Sequence, residues 1–301
     1  MPRTVAVMSP GDMGHAVGGA LRAGGVRVTT CLEGRSARSR ALADKAGIEA
    51  VPDDETLVRE ADVLLSILVP AEAHALAERL AAALSRTRAD LLYVDCNAIA
   101  PQTVRAIAAT IDGAGGRFVD AGIIGGPPRL DRPGSGPKVY ASGGHAPELA
   151  RLRDHGLDVR VMGSEIGQAS ALKMCYAALT KGLTALGTEL LVAGQALGIS
   201  DALEQELRTS QGQLYAGFER SVPGMPPKAY RWVGEMEEIA ATFGAVGLTP
   251  RILEGAADLY RFVESTPLGK ETPEQRTRGT SLPEVVEILA AALTSRSASI
   301  P

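Results

Sequence analysis

Aromatic side chains make up only 4% of the 301 residues, with one Trp, four Phe and six Tyr, so the core must be built from Ala, Leu and Val rather than from rings. Cysteine is scarcer. Cys31, Cys96 and Cys175 are odd in number, far apart and in no metal-type spacing, which argues against a disulfide framework or a zinc site and fits a reducing compartment. Positive charge is not in excess: 31 Lys and Arg stand against 35 Asp and Glu, the net charge is -4, and no basic run occurs. Nothing here would gather a nucleic-acid backbone or bind an anionic membrane surface. Long apolar runs are missing too. After Arg3 only Val5 to Met8 precede Pro and Gly, too short for a signal-peptide core, and the stretch from Ala177 to Leu197 is broken by Lys181 and Glu189. The expectation is a cytoplasmic protein whose partner is a small molecule, with no nucleic acid and no membrane.

The length exceeds the roughly 100 to 200 residues of a single domain, so two domains are expected. Strand-sized apolar runs recur in the first half at Thr4 to Met8, Val26 to Thr30, Val63 to Val69, Leu91 to Val94, Phe118 to Val119, Val139 to Ala141 and Val159 to Val161. Ala-rich stretches of helical period lie between most of them: Ala37 to Ala46, Ala71 to Leu84 and Thr103 to Ala114. This alternation predicts βαβ units around a doubly wound parallel sheet, a Rossmann-like α/β domain over residues 1–163. After Gly163 strand-like runs stop. Helical patterns over Gln168 to Leu197, Asp201 to Leu207, Gly234 to Phe243, Pro250 to Val263 and Pro283 to Ala292 predict an all-α domain over residues 164–301. The Gly/Pro-rich patches Gly122 to Gly136 and Val222 to Pro227 read as ordered loops.

The apolar run Val5-Ala6-Val7-Met8 leads directly into Ser9-Pro10-Gly11-Asp12-Met13-Gly14 and then Ala16, Val17, Ala20 and Leu21, a strand, a glycine turn and a helix start. In a dinucleotide site Gly11 lets the backbone approach the pyrophosphate, Gly14 lets helix pack on strand, and amides at the helix start hold the phosphates. Ser9 stands where the pattern has its first glycine. Downstream, the second strand reaches Cys31, where an acidic ribose selector commonly sits, and Glu33, Arg35, Ser36 and Arg38 follow. Arg35 with Ser36 suits a 2′-phosphate through charge-assisted hydrogen bonds and makes NADP the preferred cofactor. NAD stays possible through Glu33.

Further landmarks follow in order: Ser66-Ile67-Leu68-Val69-Pro70, Val94-Asp95-Cys96-Asn97, Phe118-Val119-Asp120-Ala121 leading to Gly125-Gly126, and Gly167-Gln168-Ala169-Ser170-Ala171-Leu172-Lys173-Met174. With the glycine turn, these resemble the β-hydroxyacid dehydrogenase family, the group of 3-hydroxyisobutyrate and 6-phosphogluconate dehydrogenases, over nearly the whole chain. The resemblance implies that Leu68, Val69, Pro70 and Asn97 line the nicotinamide half of the cofactor. It also implies that Lys173 is the catalytic lysine and that the protein is a homodimer packed through its helical domains.

Lys173 opens a helix in an uncharged stretch, and its ammonium suits proton transfer to a carbonyl oxygen as hydride arrives. Alcohol oxidation at neutral pH would need its ordinary pKa of about 10.4 to fall. A lysine snorkelling from a half-buried helix is the plainer alternative. The family pattern is broken at two places. Ala177 replaces an Asn four residues after the lysine, and Ile124 replaces a Ser before the paired glycines Gly125 and Gly126, so a less charged and bulkier substrate is expected. Arg129, Arg132 and Lys138 are available for an anionic group or are simply solvated. Tyr176, one helical turn after Lys173, is either a replacement hydrogen-bond partner or a core aromatic. Trp232 either lines a pocket or packs between helices, packing being preferred, and His15 reads as surface or cofactor-adjacent. The reading is an NADP-preferring carbonyl or alcohol oxidoreductase. Its rivals are an imine reductase of the same architecture, a class that commonly lacks this lysine, and a non-catalytic NADP-sensing protein.

Overall fold

The computed structural model describes residues 2–128 and 136–297, without the side chains of 294–297; Arg129 and Arg132 lie outside the described residues. The chain divides into two compact units, Met1–Met174 and Cys175–Pro301. The division falls inside a helix rather than before it at residue 163, because the first turns of that helix pack on the sheet.

The first unit carries eight strands, β1 (Thr4–Met8), β2 (Arg27–Cys31), β3 (Glu49–Val51), β4 (Val63–Ser66), β5 (Leu92–Asp95), β6 (Arg117–Ile124), β7 (Lys138–Ser142) and β8 (Asp158–Gly163), in spatial order 3-2-1-4-5-6-7-8. Helices α1 (Asp12–Ala23), α2 (Ala37–Ala46), α3 (Asp54–Glu60), α4 (Ala73–Thr87), α5 (Pro101–Gly113) and α6 (Ala146–Leu149) connect them. Successive strand residues face opposite sides, so Val5 and Val7 join a core with Val17 and Leu21 of α1. Ala6 and Met8 join another with Leu57 of α3, Leu80 of α4 and Ile107 of α5. Both faces are covered, which is why the strands read as unbroken apolar runs.

One pairing departs from the parallel sheet: β7 runs antiparallel to β6, with Asp120 opposite Ser142 and Ile124 opposite Lys138. The sequence between them is Gly/Pro-rich and lacks the helical period of the stretches that join the parallel strands. Further elements escape the pattern, among them the short helix α6. Strand β3 is a short edge strand with only Val51 buried. Helix α3 is two turns long, and its signal is the cap, where an Asp53 carboxylate oxygen accepts the Thr56 amide at 2.7 Å. A helix of the second unit, Gly212–Ser221, opens on a glycine in a polar stretch.

Among its described residues the second unit has helices and no strand: the rest of α7 (Gln168–Ala196), then α8 (Ser200–Ser210), α9 (Gly212–Ser221), α10 (Ala229–Ala245), α11 (Arg251–Ser265) and α12 (Leu282–Ser297). Lys181 of α7 pairs with Glu235 of α10, both side chains largely buried, under the Trp232 ring. No described helix is long and apolar enough to cross a membrane.

Close packing of α7 on β6 depends on Gly122, where a Cβ would lie 2.8 Å from the Ala169 carbonyl oxygen and 3.0 Å from the Lys173 Cβ. Gly122→Ala is therefore expected to destabilise the fold by about 1–3 kcal/mol in chemical unfolding. Gly113→Ala, at a helix end where the added methyl meets nothing within 4 Å, serves as the neutral control.

Candidate active site

The site is built at the carboxyl ends of β1, β4, β5 and β6, where open α/β sheets bind ligands. At the β1–α1 turn, Ser9 donates its amide to the Ile67 carbonyl at 3.1 Å and accepts the Gly11 amide at 2.8 Å, tying the turn to the end of β4. Ser9 keeps an ordinary negative φ, so glycine is not needed there. Gly14 is a different case, because its Cβ would fall 2.0 Å from the Ser9 carbonyl oxygen. At Gly11 an added Cβ meets nothing within 4 Å, and no side chain caps α1. An open backbone at an uncapped helix start is a cradle for phosphate. His15 turns Nδ1 back to the Gly11 carbonyl at 2.7 Å and so belongs to the turn.

Charge around this turn is arranged in two ways. Arg38 forms an ion pair with Asp12, cancelling the one acidic side chain in the first turn of α1. Beyond β2, Ser36 caps α2 by accepting the Ser39 amide at 3.2 Å, Arg40 donates to the Leu32 carbonyl at 2.6 Å, and Glu33 is exposed. Arg35 is half-buried, and its guanidinium pKa is lowered by burial and then by neighbouring Arg79. Arg79 bonds Asp54 at 2.5 Å; the Arg35 amide donates to the Leu32 carbonyl at 3.1 Å, while its side chain makes no hydrogen bond or ion pair with another described residue.

At the other end of the crevice Ser66, Asp95 and Asp120 stand side by side on β4, β5 and β6. All three are buried. Asn97 braces this row: its Oδ1 accepts the Leu68 amide at 2.6 Å, and its Nδ2 donates to Ser66 Oγ at 2.9 Å and to Asp95 Oδ2 at 3.1 Å. Val69 and Pro70 follow as an extended residue and the start of a 3₁₀ turn.

Asp120 organises the start of α7. Its carboxylate accepts Ser142 Oγ at 2.9 Å, the Gly167 amide at 2.8 Å, the Ser170 amide at 3.1 Å and Ser170 Oγ at 2.6 Å. Ser142 Oγ in turn accepts the Ala169 amide at 3.0 Å, and the strand irregularity at Ala141/Ser142 accompanies this contact. The clamp sets α7 in place, and one turn later Lys173 Nζ donates to the carbonyl of Ile123, near the end of β6, at 2.6 Å.

The remaining expected residues are placed as follows. Ile124 is half-buried at the end of β6, Gly125 takes a positive φ of 126° against Pro137, and Gly126 is exposed. In the second unit Tyr176 is exposed on α7, while Ala177 is buried. Trp232 stacks edge-on against Tyr260 at 5.3 Å. Ser142 was not singled out by the sequence, and Asp120 and Ser170 stood there only within the landmark segments. The available signal was an acid inside the apolar run Phe118 to Ile124.

Residues 4–155 match the model of the NAD binding domain of 6-phosphogluconate dehydrogenase. The chain belongs to that family. Residues 195–263 match a second model, a domain of unknown function (DUF1932). An uncharacterized 28.5 kDa protein from Methanothermus fervidus is 30% identical over 240 residues, 79% of this chain and 90% of that one. Among solved structures, the conserved protein MTH1747, described as similar to 3-hydroxyacid dehydrogenases, is 30% identical at a TM-score of 0.63, covering 89% of this chain and all of its own. The 3-hydroxyisobutyrate dehydrogenase of Mycobacterium tuberculosis shares the fold at a TM-score of 0.68 with 18% identity, covering 98% of this chain and 99% of that one. Imine reductases share it at TM-scores of 0.51 to 0.54 and 16 to 19% identity. The fold is thus that of nicotinamide-dependent hydroxyacid dehydrogenases and imine reductases.

Replacing Asp120 by Ala leaves four donors without their acceptor in a closed interior. The expected loss is about 3–5 kcal/mol of unfolding free energy, checked by urea titration; a loss below about 1 kcal/mol would contradict the clamp.

Proposed function

We propose that the protein is an NADP-preferring oxidoreductase acting on a small-molecule carbonyl or alcohol, with Lys173 as general acid/base. The observation that carries this reading is the Lys173 ammonium, anchored at 2.6 Å to the Ile123 carbonyl beside the row Ser66, Asp95 and Asp120. The residues fit a dinucleotide: Gly11 to Gly14 for the pyrophosphate, Arg35 for the 2′-phosphate, and Leu68 to Pro70 with Asn97 for the nicotinamide end. When bound, the nicotinamide supplies or takes up the hydride.

The chain's own part is positional and protonic. Lys173 holds its proton at Nζ, restrained by the Ile123 carbonyl, ready for an oxygen that becomes an alcohol, and receives it back in the reverse direction. The cofactor preference rests on Arg35, a half-buried cation without an ion-pair partner among the described residues, and therefore one that a phosphate dianion would satisfy. Exposed Tyr176, Leu179 and Leu186 on α7 support a homodimer that covers this helix. A carbonyl substrate is preferred over an imine because the lysine is present and the fold lies nearer to the hydroxyisobutyrate enzyme.

Two variants test the reading. With a carbonyl, imine and hydroxyacid panel followed at the nicotinamide absorbance, Lys173→Ala should lower turnover at least about a hundredfold while cofactor affinity stays nearly intact; unchanged turnover refutes the role. In parallel titrations, Arg35→Ala should weaken NADPH by about tenfold or more and NADH little. Equal weakening of both would remove the 2′-phosphate assignment.

A further inference from the structure

Asp95 ends β5 between Ser66 of β4 and Asp120 of β6 and is buried. Both its oxygens face N–H donors of one residue: Oδ1 accepts the Asn97 amide at 2.9 Å and Oδ2 accepts Asn97 Nδ2 at 3.1 Å. An amide side chain can point either way, and its surroundings decide. Here the orientation with Nδ2 on Asp95 leaves Oδ1 on the Leu68 amide at 2.6 Å. Turning the amide over would set oxygen against carboxylate and NH₂ against the Leu68 N–H. The carboxylate thus selects which end of Asn97 meets Leu68.

We infer that Asp95 is a positioning residue that acts through Asn97 to hold the segment Leu68–Pro70 in the shape that receives the nicotinamide end of the cofactor. The inference rests on the dinucleotide reading above. Asn97 holds the Leu68 amide at the start of the segment, while at its far end the Val69 and Pro70 carbonyls accept the Glu72 and Ala73 amides of the 3₁₀ turn.

Protonation should reverse the device. A neutral Asp95 presents a hydroxyl where Asn97 presents a donor, and the preference for the working orientation is lost. Burial pushes Asp95 up to about 7 against the lowering effect of its Asn97 hydrogen bonds, with Asp120 raising it further. The other titratable groups beside it are Tyr93 on its own strand, Cys96 just beyond that strand and Asp120 on β6. Because the folded value lies above the ordinary carboxylate value of about 4, the folded chain holds a proton there that the unfolded chain releases. This group's contribution to stability is full below about 4 and is lost as the pH rises through about 7. Cofactor affinity runs the other way, falling as the pH drops through the same range. Opposite signs from one proton distinguish positioning from a merely structural role.

The test is binding of NADPH and NADH to the full chain, followed by nicotinamide fluorescence between pH 5.5 and 8.5. At pH 8, Asp95→Asn should weaken binding about tenfold, and the exchanged pair Asp95→Asn with Asn97→Asp, which restores a donor facing an acceptor, should recover it to within roughly threefold. The ratio of wild-type to Asp95→Asn affinity should fall toward one as the pH is lowered through 7. A folded Asp95→Asn protein that binds like wild type, or a ratio that does not change with pH, overturns the inference. Should the single variant fail to fold, the exchanged pair and the wild-type profile decide. That profile is read with NADH, which lacks a 2′-phosphate titrating at about 6, and a flat NADH profile overturns the inference. Wild-type protein that binds neither nucleotide overturns the dinucleotide reading instead, before any variant is made.

Discussion

The structure of the first unit turns on one buried carboxylate. Asp120 lies in the middle of an apolar strand, where an unsatisfied acid would cost several kcal/mol, and its four donors come from β7 and from the opening of α7. A negative group at the start of a 29-residue helix also meets the positive end of the helix dipole. From this attachment the rest follows by geometry. Helix α7 is drawn so near β6 that only glycine fits at position 122, and the next turn delivers Lys173 to the Ile123 carbonyl.

The crevice is polar in depth rather than at its surface. Ser66, Asp95, Asn97, Asp120, Ser142 and Ser170 are all buried, and their hydrogen bonds close largely on each other. Such a network is costly when incomplete and rigid when complete. Its rigidity serves placement: the loop after β4, the turn after β5 and the start of α7 are all hung from it. At the opposite end, near β2, Arg35 and Arg38 are half-buried, and Arg38 pairs with Asp12.

How much of this could be read beforehand divides along physical lines. The strand Thr4 to Met8 and helix Ala37 to Ala46 are found where their apolar periods place them, because buried parallel strands and capped amphipathic helices leave strong local patterns. The short edge strand β3 and the two-turn α3 bury too little to leave one. The reversal at β7 is a property of pairing, which periodicity does not encode. In the candidate site, the positions of Gly11 and Gly14 at the β1–α1 turn were legible from spacing, and Lys173 was singled out by the family resemblance. The partners that orient the lysine's helix, Ser142 and Ser170, were not, since a serine that accepts an amide 27 residues away has no local signature. Ser36 and Asn97 were legible as positions, but much of their hydrogen bonding is spent on capping α2 and bracing β4.

The amine of Lys173 falls on the Met1–Met174 side of the division, although the helix that bears it continues into the second unit. Glycine turn, buried network and amine therefore lie within one compact unit, and the hydrogen bonds that carry the amine to the Ile123 carbonyl are all made by residues of that unit.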